Sequence, residues 1–367
     1  MKILITGANG FIGKNLQVHL REAGYQDLIC IDRNSTSSDL LDGLKHADFI
    51  YHLAGVNRPK DIAEFQTGNV GLTEKIIAEL NAIGRAVPLV YTSSIQAEFD
   101  NPYGVSKSVA ERALQEYQQS SGGPVYIYRL PNVFGKWCRP NYNSAVATFC
   151  HNTTHNLPIT INDANAPLKL VYIDDVCASF VALLDLQTQA GQVEVDTIYD
   201  TTVGFVAEIL AKFRTSRDTL VTESVGTGLI RALYSTYVSY LAPDDFSYQV
   251  PSYGDARGVF VEMLKTPDCG QFSFFTAHPG ITRGGHYHHT KTEKFLVIKG
   301  EARFGFRHIL TGERIELITK GTEPRIVETI PGWAHDITNI GQDEMVVMLW
   351  ANEIFDRQKP DTISHEV

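Results

Sequence analysis

The chain opens on Lys2-Ile3-Leu4-Ile5-Thr6, a short apolar run, and continues at once into Gly7-Ala8-Asn9-Gly10-Phe11-Ile12-Gly13. Apolar residues then recur at Leu16, Val18 and Leu20, so the order is strand, glycine turn, helix. No other stretch constrains the fold as strongly. The glycines let the backbone turn sharply and approach a pyrophosphate, whose charge is met by the free N–H groups of the helix N-terminus. The expectation is a dinucleotide seat made by Gly7, Asn9, Gly10, Phe11, Ile12 and Gly13; a tight turn with no ligand is the alternative.

A second strand, residues 28–31, ends at Asp32-Arg33, roughly 20 residues past the glycines, where a dinucleotide site reads the adenosine ribose. The two residues point to different cofactors. Asp32 suits the free 2′-hydroxyl of NAD, Arg33 the 2′-phosphate of NADP, and the reading leans to NADPH. Asp39 and Leu40 are placed beside the adenine, with a plain surface Asp as the alternative. Residues 49–53 form a third apolar strand closing on Ala54-Gly55, so Leu53, Ala54 and Gly55 join the cofactor candidates. A helix over 69–80 and a strand over 87–92 follow. This βαβα alternation predicts a parallel sheet.

Ser93 and Ser94 then fall at the end of a buried strand, where open α/β sheets bind ligands. Pro102 suits a helix start, and Tyr103 and Lys107, four apart, share one helix face. An ammonium beside a phenol favours the phenolate, which lets the tyrosine exchange a proton with an alcohol or carbonyl while Ser94 holds the oxygen. Taken alone, the pair also fits a solvated helix face.

The motifs together are more specific. His52-Leu53-Ala54-Gly55, Ser93-Ser94, Tyr103-x-x-x-Lys107, Arg129-Leu130-Pro131-Asn132-Val133-Phe134-Gly135 and Tyr172-Ile173-Asp174-Asp175-Val176 stand in the order that resembles extended short-chain dehydrogenase/reductases acting on nucleotide sugars. The resemblance covers roughly residues 1–240. It implies catalytic Ser94, Tyr103 and Lys107, with substrate contacts from Ser94 and from the region after Asn132. Lys136, Arg139 and Tyr142 offer cations for a diphosphate and an aromatic ring for a base. One departure is that Ser94 and Tyr103 are only nine residues apart. Many relatives have a longer segment there, so the loop over the sugar is trimmed.

A length of 367 residues favours two domains, and the net charge of −10 opposes association with nucleic acid or anionic membrane. Five scattered cysteines without a Cys-x-x-Cys pair read as reduced, mostly buried thiols. With strand residues starting at Ile3 there is no room for a signal peptide, and no apolar run approaches the roughly 20 residues of a membrane span. A cytoplasmic protein is the expectation.

Beyond Leu241 the pattern changes. Pro243, Asp244, Asp245, Pro251 and Gly254 mark a linker, and short β-rich runs replace the alternation, dividing the chain into 1–245 and 246–367. Strands are expected near 260–264, 272–276, 294–298, 302–308, 314–318, 326–330 and 345–350, an all-β sandwich or barrel. Seven of the twelve histidines lie after residue 277. His286 and His288, two apart on a strand, aim at one ion, with Glu293 from the next strand and His335 from a later one. Such a set suits Zn first, then Mn, Fe or Ni, with open positions for a carbonyl; a surface histidine cluster is the alternative. The spacing Gly280-x5-His286-x-His288-x4-Glu293-x6-Gly300 resembles the first cupin motif, and Pro331-Gly332-x2-His335-x3-Asn339 the second, although there the proline and glycine are adjacent. Residues 255–262 look like the opening of deoxysugar-epimerase cupins.

The chain is therefore expected to be an α/β Rossmann domain of the extended short-chain type followed by an all-β cupin barrel. As a whole it resembles the bifunctional capsule-biosynthesis enzymes on the route to UDP-N-acetyl-L-fucosamine. That resemblance implies carbon 3 epimerisation of a UDP-2-acetamido-2,6-dideoxy-4-hexulose by the cupin and NADPH-dependent reduction at carbon 4 by the first domain, giving a UDP-2-acetamido-2,6-dideoxy-L-talose. A homodimer formed through the cupin is part of the expectation. Two other readings stay open: a reductase whose cupin only senses sugar or dimerises, and an NAD-dependent 4-epimerase.

Overall fold

The computed structural model describes residues 1–185 and 187–367. It divides into two compact units, Met1–Leu210 with Ala232–Leu241, and Ala211–Arg231 with Ala242–Val367.

In the first unit, β1 (Ile3–Thr6), β2 (Leu28–Ile31), β3 (Phe49–His52), β4 (Leu89–Ser94), β5 (Val125–Leu130) and β8 (Gly191–Val193) form one parallel sheet. Its order is β2-β1-β3-β4-β5-β8, and β6 (Asn132–Phe134), β7 (Pro167–Tyr172) and β9 (Tyr199–Thr202) make a small second sheet. The α-helices lying wholly within it are α1 (Phe11–Glu22), α2 (Ser37–His46), α3 (Ala63–Phe65), α4 (Leu72–Ile83), α5 (Pro102–Ser121), α6 (Ala145–Thr154) and α7 (Ile173–Ala182). Helices on a parallel sheet bury its strands on both faces, which is why β1 and β3 read as unbroken apolar runs and are buried throughout. Leu4, Ile50, Leu89, Leu80 and Leu114 meet in the core beside the sheet. The strand order reverses between β1 and β3, and the crevice outside their C-terminal ends is where such sheets bind ligands.

The expected helix over 69–80 starts within a π-helical turn, Gln66–Gly71, and continues as α4, which ends at Gly84 in the left-handed region. Between β4 and α5 the trimmed segment is a single 3₁₀ turn, Ile95–Glu98. The Asn101 side chain accepts the Gly104 N–H at 2.9 Å, and Pro102 occupies the first turn of α5. A Cβ on Gly104 would lie 2.1 Å from the Gln96 carbonyl oxygen and 2.5 Å from that of Phe99. Backbone thus packs on backbone, and this allows so short a connection to deliver Tyr103 to the end of β4.

The second unit holds two antiparallel sheets. One is ordered β10 (Ser252–Asp255), β11 (Gly258–Thr266), β12 (Gly270–Ala277), β19 (Met345–Ala351), β14 (Glu293–Lys299), β17 (Ile326–Glu328). The other runs β16 (Arg314–Lys320), β15 (Glu301–His308), β18 (Trp333–Asn339), β13 (Thr282–Tyr287), β20 (Ile363–Ser364). Phe275, Phe295, Phe304, Ile337, Met345 and Val347 form the core. All seven expected strands overlap observed ones; β13 carries His286 and β18 carries His335, as expected of the histidines, His288 lies one residue past β13, and β10 and β20 are additional. β13 carries Gly284-Gly285 and β18 alternates polar residues, so neither shows an apolar run. The architecture is an α/β Rossmann unit followed by an all-β cupin barrel. No helix among the described residues is long and apolar enough to cross a membrane.

The Gly104 contact gives a stability prediction. Gly104→Ala should destabilise the first unit by roughly 1–3 kcal/mol, the usual cost of forcing a methyl into packed backbone. Urea unfolding measures it, and an unchanged midpoint would mean that residues 95–99 yield freely.

Candidate functional site

At the ends of β1 and β3 lies a cleft of about 1130 Å³. Gly7 sits at φ 69°, and a Cβ there would meet Ala54 N at 2.8 Å, so glycine lets the two strand ends close up. A Cβ on Gly13 would come within 2.4 Å of the Gly7 oxygen, which seats α1 against the turn. That helix starts with neither a side-chain cap nor an acidic residue in its first turn. Its first N–H groups and the positive end of its dipole are therefore available to an anion. Below the turn, Thr6 Oγ1 and Thr73 Oγ1 lie 2.8 and 2.9 Å from the two ring nitrogens of buried His52. Burial, with the Lys107 ammonium nearby, pushes the His52 imidazole down to about 3 and keeps it neutral.

Ser94, Tyr103 and Lys107 converge at the end of β4. Ser94 and Tyr103 both border the cleft there, and Ser94 Oγ accepts the Gln96 N–H at 3.2 Å at the start of the 3₁₀ turn. Ser93 Oγ instead bonds Glu111, whose carboxylate also accepts Arg129 Nη2 at 2.7 Å, so the two serines are separated in role by their partners. Lys107 Nζ is buried, donates to Thr92 O at 2.9 Å and stands 6.0 Å from the Tyr103 ring centroid. The expected lowering of the phenol pKa by this ammonium is not found. Burial raises the Tyr103 phenol and the Ser94 side chain offsets only part of it, while burial drives Lys107 itself down to about 8 against the pull of Glu111. In this dry corner desolvation outweighs charge attraction.

Sequence reasoning missed Asn69. From the π-helical turn its side chain accepts Val56 N–H at 2.7 Å and donates to Val56 O and to Ser106 Oγ, tying the strand β3 exit to α5. Nothing in the surrounding Gln66-Thr67-Gly68-Asn69-Val70-Gly71 marks it in the sequence.

The glycine-turn residues Gly7, Asn9, Gly10, Phe11, Ile12 and Gly13 all border the cleft, as do Leu53, Ala54 and Gly55. Asp32, Arg33 and Leu40 border its far end. There the Asp32 carboxylate is engaged by Asn9 Nδ2 and by Asn34 N–H, whereas Arg33 is exposed. Lys75, from α4, also borders this end and donates to Ser37 Oγ at 2.7 Å; its distance along the chain hid it. Asp39 is placed elsewhere. Its carboxylate accepts Thr36 N–H in a reciprocal capping box at the start of α2, off the cleft wall.

Asn132, Arg139 and Tyr142 border the opposite end, with the Arg139 guanidinium 5.4 Å from the Tyr142 ring centroid. Lys136 does not. It pairs with Asp174, which also meets His19 at 3.1 Å, so this cation fastens the loop rather than facing the cleft. The next residue, Trp137, holds a left-handed backbone (φ 67°) that presents a 52% exposed indole on the wall.

In the second unit, ligand atoms of His286, His288, Glu293 and His335 all lie within 4.8 Å of one another. Glu293 Oε2 is 3.3 Å from His288 Nε2 and 3.4 Å from His335 Nε2, and Oε1 is 3.0 Å from Lys291 Nζ. Both ring nitrogens of buried His335 lack an aligned hydrogen-bond partner. Orphaned buried imidazole nitrogens beside a carboxylate and two more imidazoles fit a borderline divalent cation. Burial pushes the Glu293 carboxyl up, and the flanking imidazoles with Lys291 outweigh this, leaving it below the ordinary carboxylate range. Burial, reinforced by His335, brings His286 down to about 4, so it offers a lone pair at neutral pH. The adjacent Pro331-Gly332 leaves His335 in place, with Gly332 N–H capping the His288 carbonyl at 3.1 Å. Asn339 is buried and donates to Ala277 O and Asp343 O, a packing anchor and not a ligand.

The first unit has the architecture of an extended short-chain dehydrogenase/reductase, and the second that of a cupin. The NAD dependent epimerase/dehydratase family matches residues 3–196, and the polysaccharide biosynthesis C-terminal domain matches residues 253–363. The chain belongs to the NAD dependent epimerase/dehydratase family. A Pseudomonas aeruginosa protein named UDP-2-acetamido-2,6-beta-L-arabino-hexul-4-ose reductase is 59% identical over 368 residues, covering 100% of this chain and 99% of its own. The crystal structure of the capsular polysaccharide assembling protein CapF from Staphylococcus aureus matches with a TM-score of 0.93 at 42% identity over 100% of both chains. UDP-glucuronic acid 4-epimerase from Bacillus cereus, solved with UDP-glucuronic acid and NAD, is 20% identical with a TM-score of 0.56, over 65% of this chain and 99% of that one. That likeness is one of fold.

The buried ammonium yields a pH prediction. Lys107 falls from its ordinary 10.5 to about 8, so between those values the unfolded chain binds a proton that the folded one does not, and stability rises with pH across the window. Below about pH 8 the full penalty is present. Lys107→Met should therefore melt higher than the wild type at pH 7, with the gap narrowing as pH rises toward 10; a gap that is constant with pH would contradict the shift.

Proposed function

We propose that the protein reduces the 4-keto group of a UDP-2-acetamido-2,6-dideoxy-hexulose with NADPH, after its cupin unit has inverted carbon 3, in capsule or O-antigen precursor synthesis. The observation that carries this reading is the convergence of Ser94, Tyr103 and buried Lys107 on one cleft at the strand ends, with Lys107 Nζ 6.0 Å from the Tyr103 ring centroid. A relative named as a 4-ulose reductase, alike over its whole length, supports the substrate class. The product is then UDP-2-acetamido-2,6-dideoxy-L-talose, on the route to UDP-N-acetyl-L-fucosamine. The reading includes a homodimer through the cupin, a cytoplasmic location and a functional division of the chain at 245/246.

In the first cleft, Ser94 holds the substrate oxygen and Tyr103 gives its proton to that oxygen as carbon 4 is reduced; NADPH, held along the glycine turn, would supply the hydride. Lys107, buried 6.0 Å from the Tyr103 ring centroid, positions the phenol. Arg33 and Lys75 supply positive charge for the 2′-phosphate, while Asp32 is occupied by Asn9 and Asn34. In the second unit His286, His288, Glu293 and His335 hold a divalent cation, zinc first, which when bound polarises the substrate carbonyl and acidifies the neighbouring carbon. The inversion then removes the carbon 3 proton from one face within the cupin cavity and adds one to the other, with no net change in protons or electrons.

The test uses the 4-keto sugar and NADPH in D2O, following deuterium at carbon 3 and cofactor absorbance together. Tyr103→Phe should lose at least 100-fold in NADPH oxidation and keep carbon 3 exchange, since general acid catalysis contributes about 10²–10⁴. Glu293→Ala should do the reverse with a substrate already inverted at carbon 3. A folded, metal-free Glu293→Ala that still exchanges at the wild-type rate would make the cupin a sensing or dimerising module, and turnover without net NADPH consumption would make the enzyme a 4-epimerase.

Arg33→Ala should weaken NADPH by roughly 1.5–3 kcal/mol more than NADH, the worth of a hydrogen bond to a charged group. Equal losses in a cofactor titration would show that Arg33 does not read the phosphate.

A further inference from the structure

The segment Asp361 to His365 lies against the hairpin that carries the first two histidines of the metal centre. β20 pairs antiparallel with β13, setting Ser364 opposite His286 and Ile363 opposite Tyr287, and His365 N–H donates to Gly285 O at 3.0 Å. Just ahead of β20, the Asp361 carboxylate accepts three successive backbone N–H groups, from His289 at 2.9 Å, Thr290 at 2.7 Å and Lys291 at 2.9 Å. The Thr290 hydroxyl adds a fourth bond at 3.2 Å. These residues form the turn between the ligands His288 and Glu293. The Asp361 backbone carbonyl, for its part, accepts from His288 Nδ1. A proton on Nδ1 leaves Nε2, the nitrogen facing Glu293, with the lone pair that a cation needs. Thr362, the next residue, borders the same cavity as His286 and Glu293, with its hydroxyl buried and unpartnered.

We infer that this segment is a built-in wall of the metal centre and that Asp361 is a positioning residue setting its cation affinity. The inference rests on the reading of His286, His288, Glu293 and His335 as a cation site. Physically, one carboxylate gathers three N–H groups that otherwise point at one another, and one carbonyl selects the tautomer of a ligand. Both order the ligand loop before any cation arrives, so less ordering is left to be done on binding. Nothing in the cupin motifs marks this residue, because it lies about 70 positions from the turn it organises.

The experiment compares zinc affinity, by competition with a chelating indicator, in chelator-stripped wild type and in Asp361→Ala and Asp361→Asn, with circular dichroism establishing that each is folded. Asp361→Ala should bind zinc about 10–100-fold more weakly, the usual effect of losing an outer partner of a metal ligand. Asp361→Asn, which keeps an acceptor oxygen for the turn, should fall between Ala and wild type. A folded Asp361→Ala within twofold of wild type overturns the inference, and so does an Asn variant weaker than the Ala variant. If Asp361→Ala does not fold, hydrogen exchange on the wild type decides: zinc should slow exchange at His289, Thr290 and Lys291 and also at His365. Slowing confined to the amides of residues 286–288 and 335 overturns it. A wild type that takes up no zinc removes the metal reading itself, an outcome distinct from equal affinities in wild type and variant.

Discussion

The first unit depends on one contact, the close approach of the Gly7 backbone to Ala54 where β1 and β3 end. A side chain at Gly7 would hold these ends apart and open the crevice at the point where strand order reverses. With them closed, Leu53 to Gly55 lie along the glycine turn, and the buried line Thr6, His52, Thr73 is satisfied across strands and helix. Gly55 in turn leaves room for Lys107, whose Nζ would be 3.2 Å from a Cβ there. The ammonium is thus held out of water by the same closure that forms the cofactor seat. Such a charge lowers stability, and a fold that keeps one at a strand end does so against its own interest in packing.

The second unit meets the same difficulty with the opposite charge. Glu293 is a buried carboxylate, and its neighbours His288, His335 and Lys291 offset the loss of water. The ligands come from both sheets: His286 and His335 sit on β13 and β18, while Glu293 begins β14. The four side chains therefore come together only when the sheets are packed.

Much of this was legible in the residues. The strands expected at 28–31 and 49–53 stand where their apolar runs put them, and the glycine turn, Ser94, Tyr103 and Lys107 come together as their spacing suggests. The histidine spacing likewise delivers four donors to one point. The misreadings share a cause. Asp39 and Lys136 are charged residues in short loops beside the cleft, and such residues look like ligand contacts until their own partners are known, a capping box for one and Asp174 for the other. The direction of the Tyr103 shift was misjudged for a related reason, since the charge beside it is visible in the sequence and the burial around it is not.

What the sequence determined by itself was whatever acts over a few residues: strand and helix periods, glycines where the backbone must turn, paired side chains four apart on a helix or two apart on a strand. The tertiary structure alone decided which serine is tied to Glu111 and which caps the 3₁₀ turn, that Lys75 joins Arg33 at the cleft, and that Asp361 closes the turn between His288 and Glu293. Those outcomes depend on desolvation and on hydrogen-bond partners far apart along the chain. Neither quantity has a value until the chain has packed, because the strength of a charge or a polar group is set by the water it has lost and by what replaces that water.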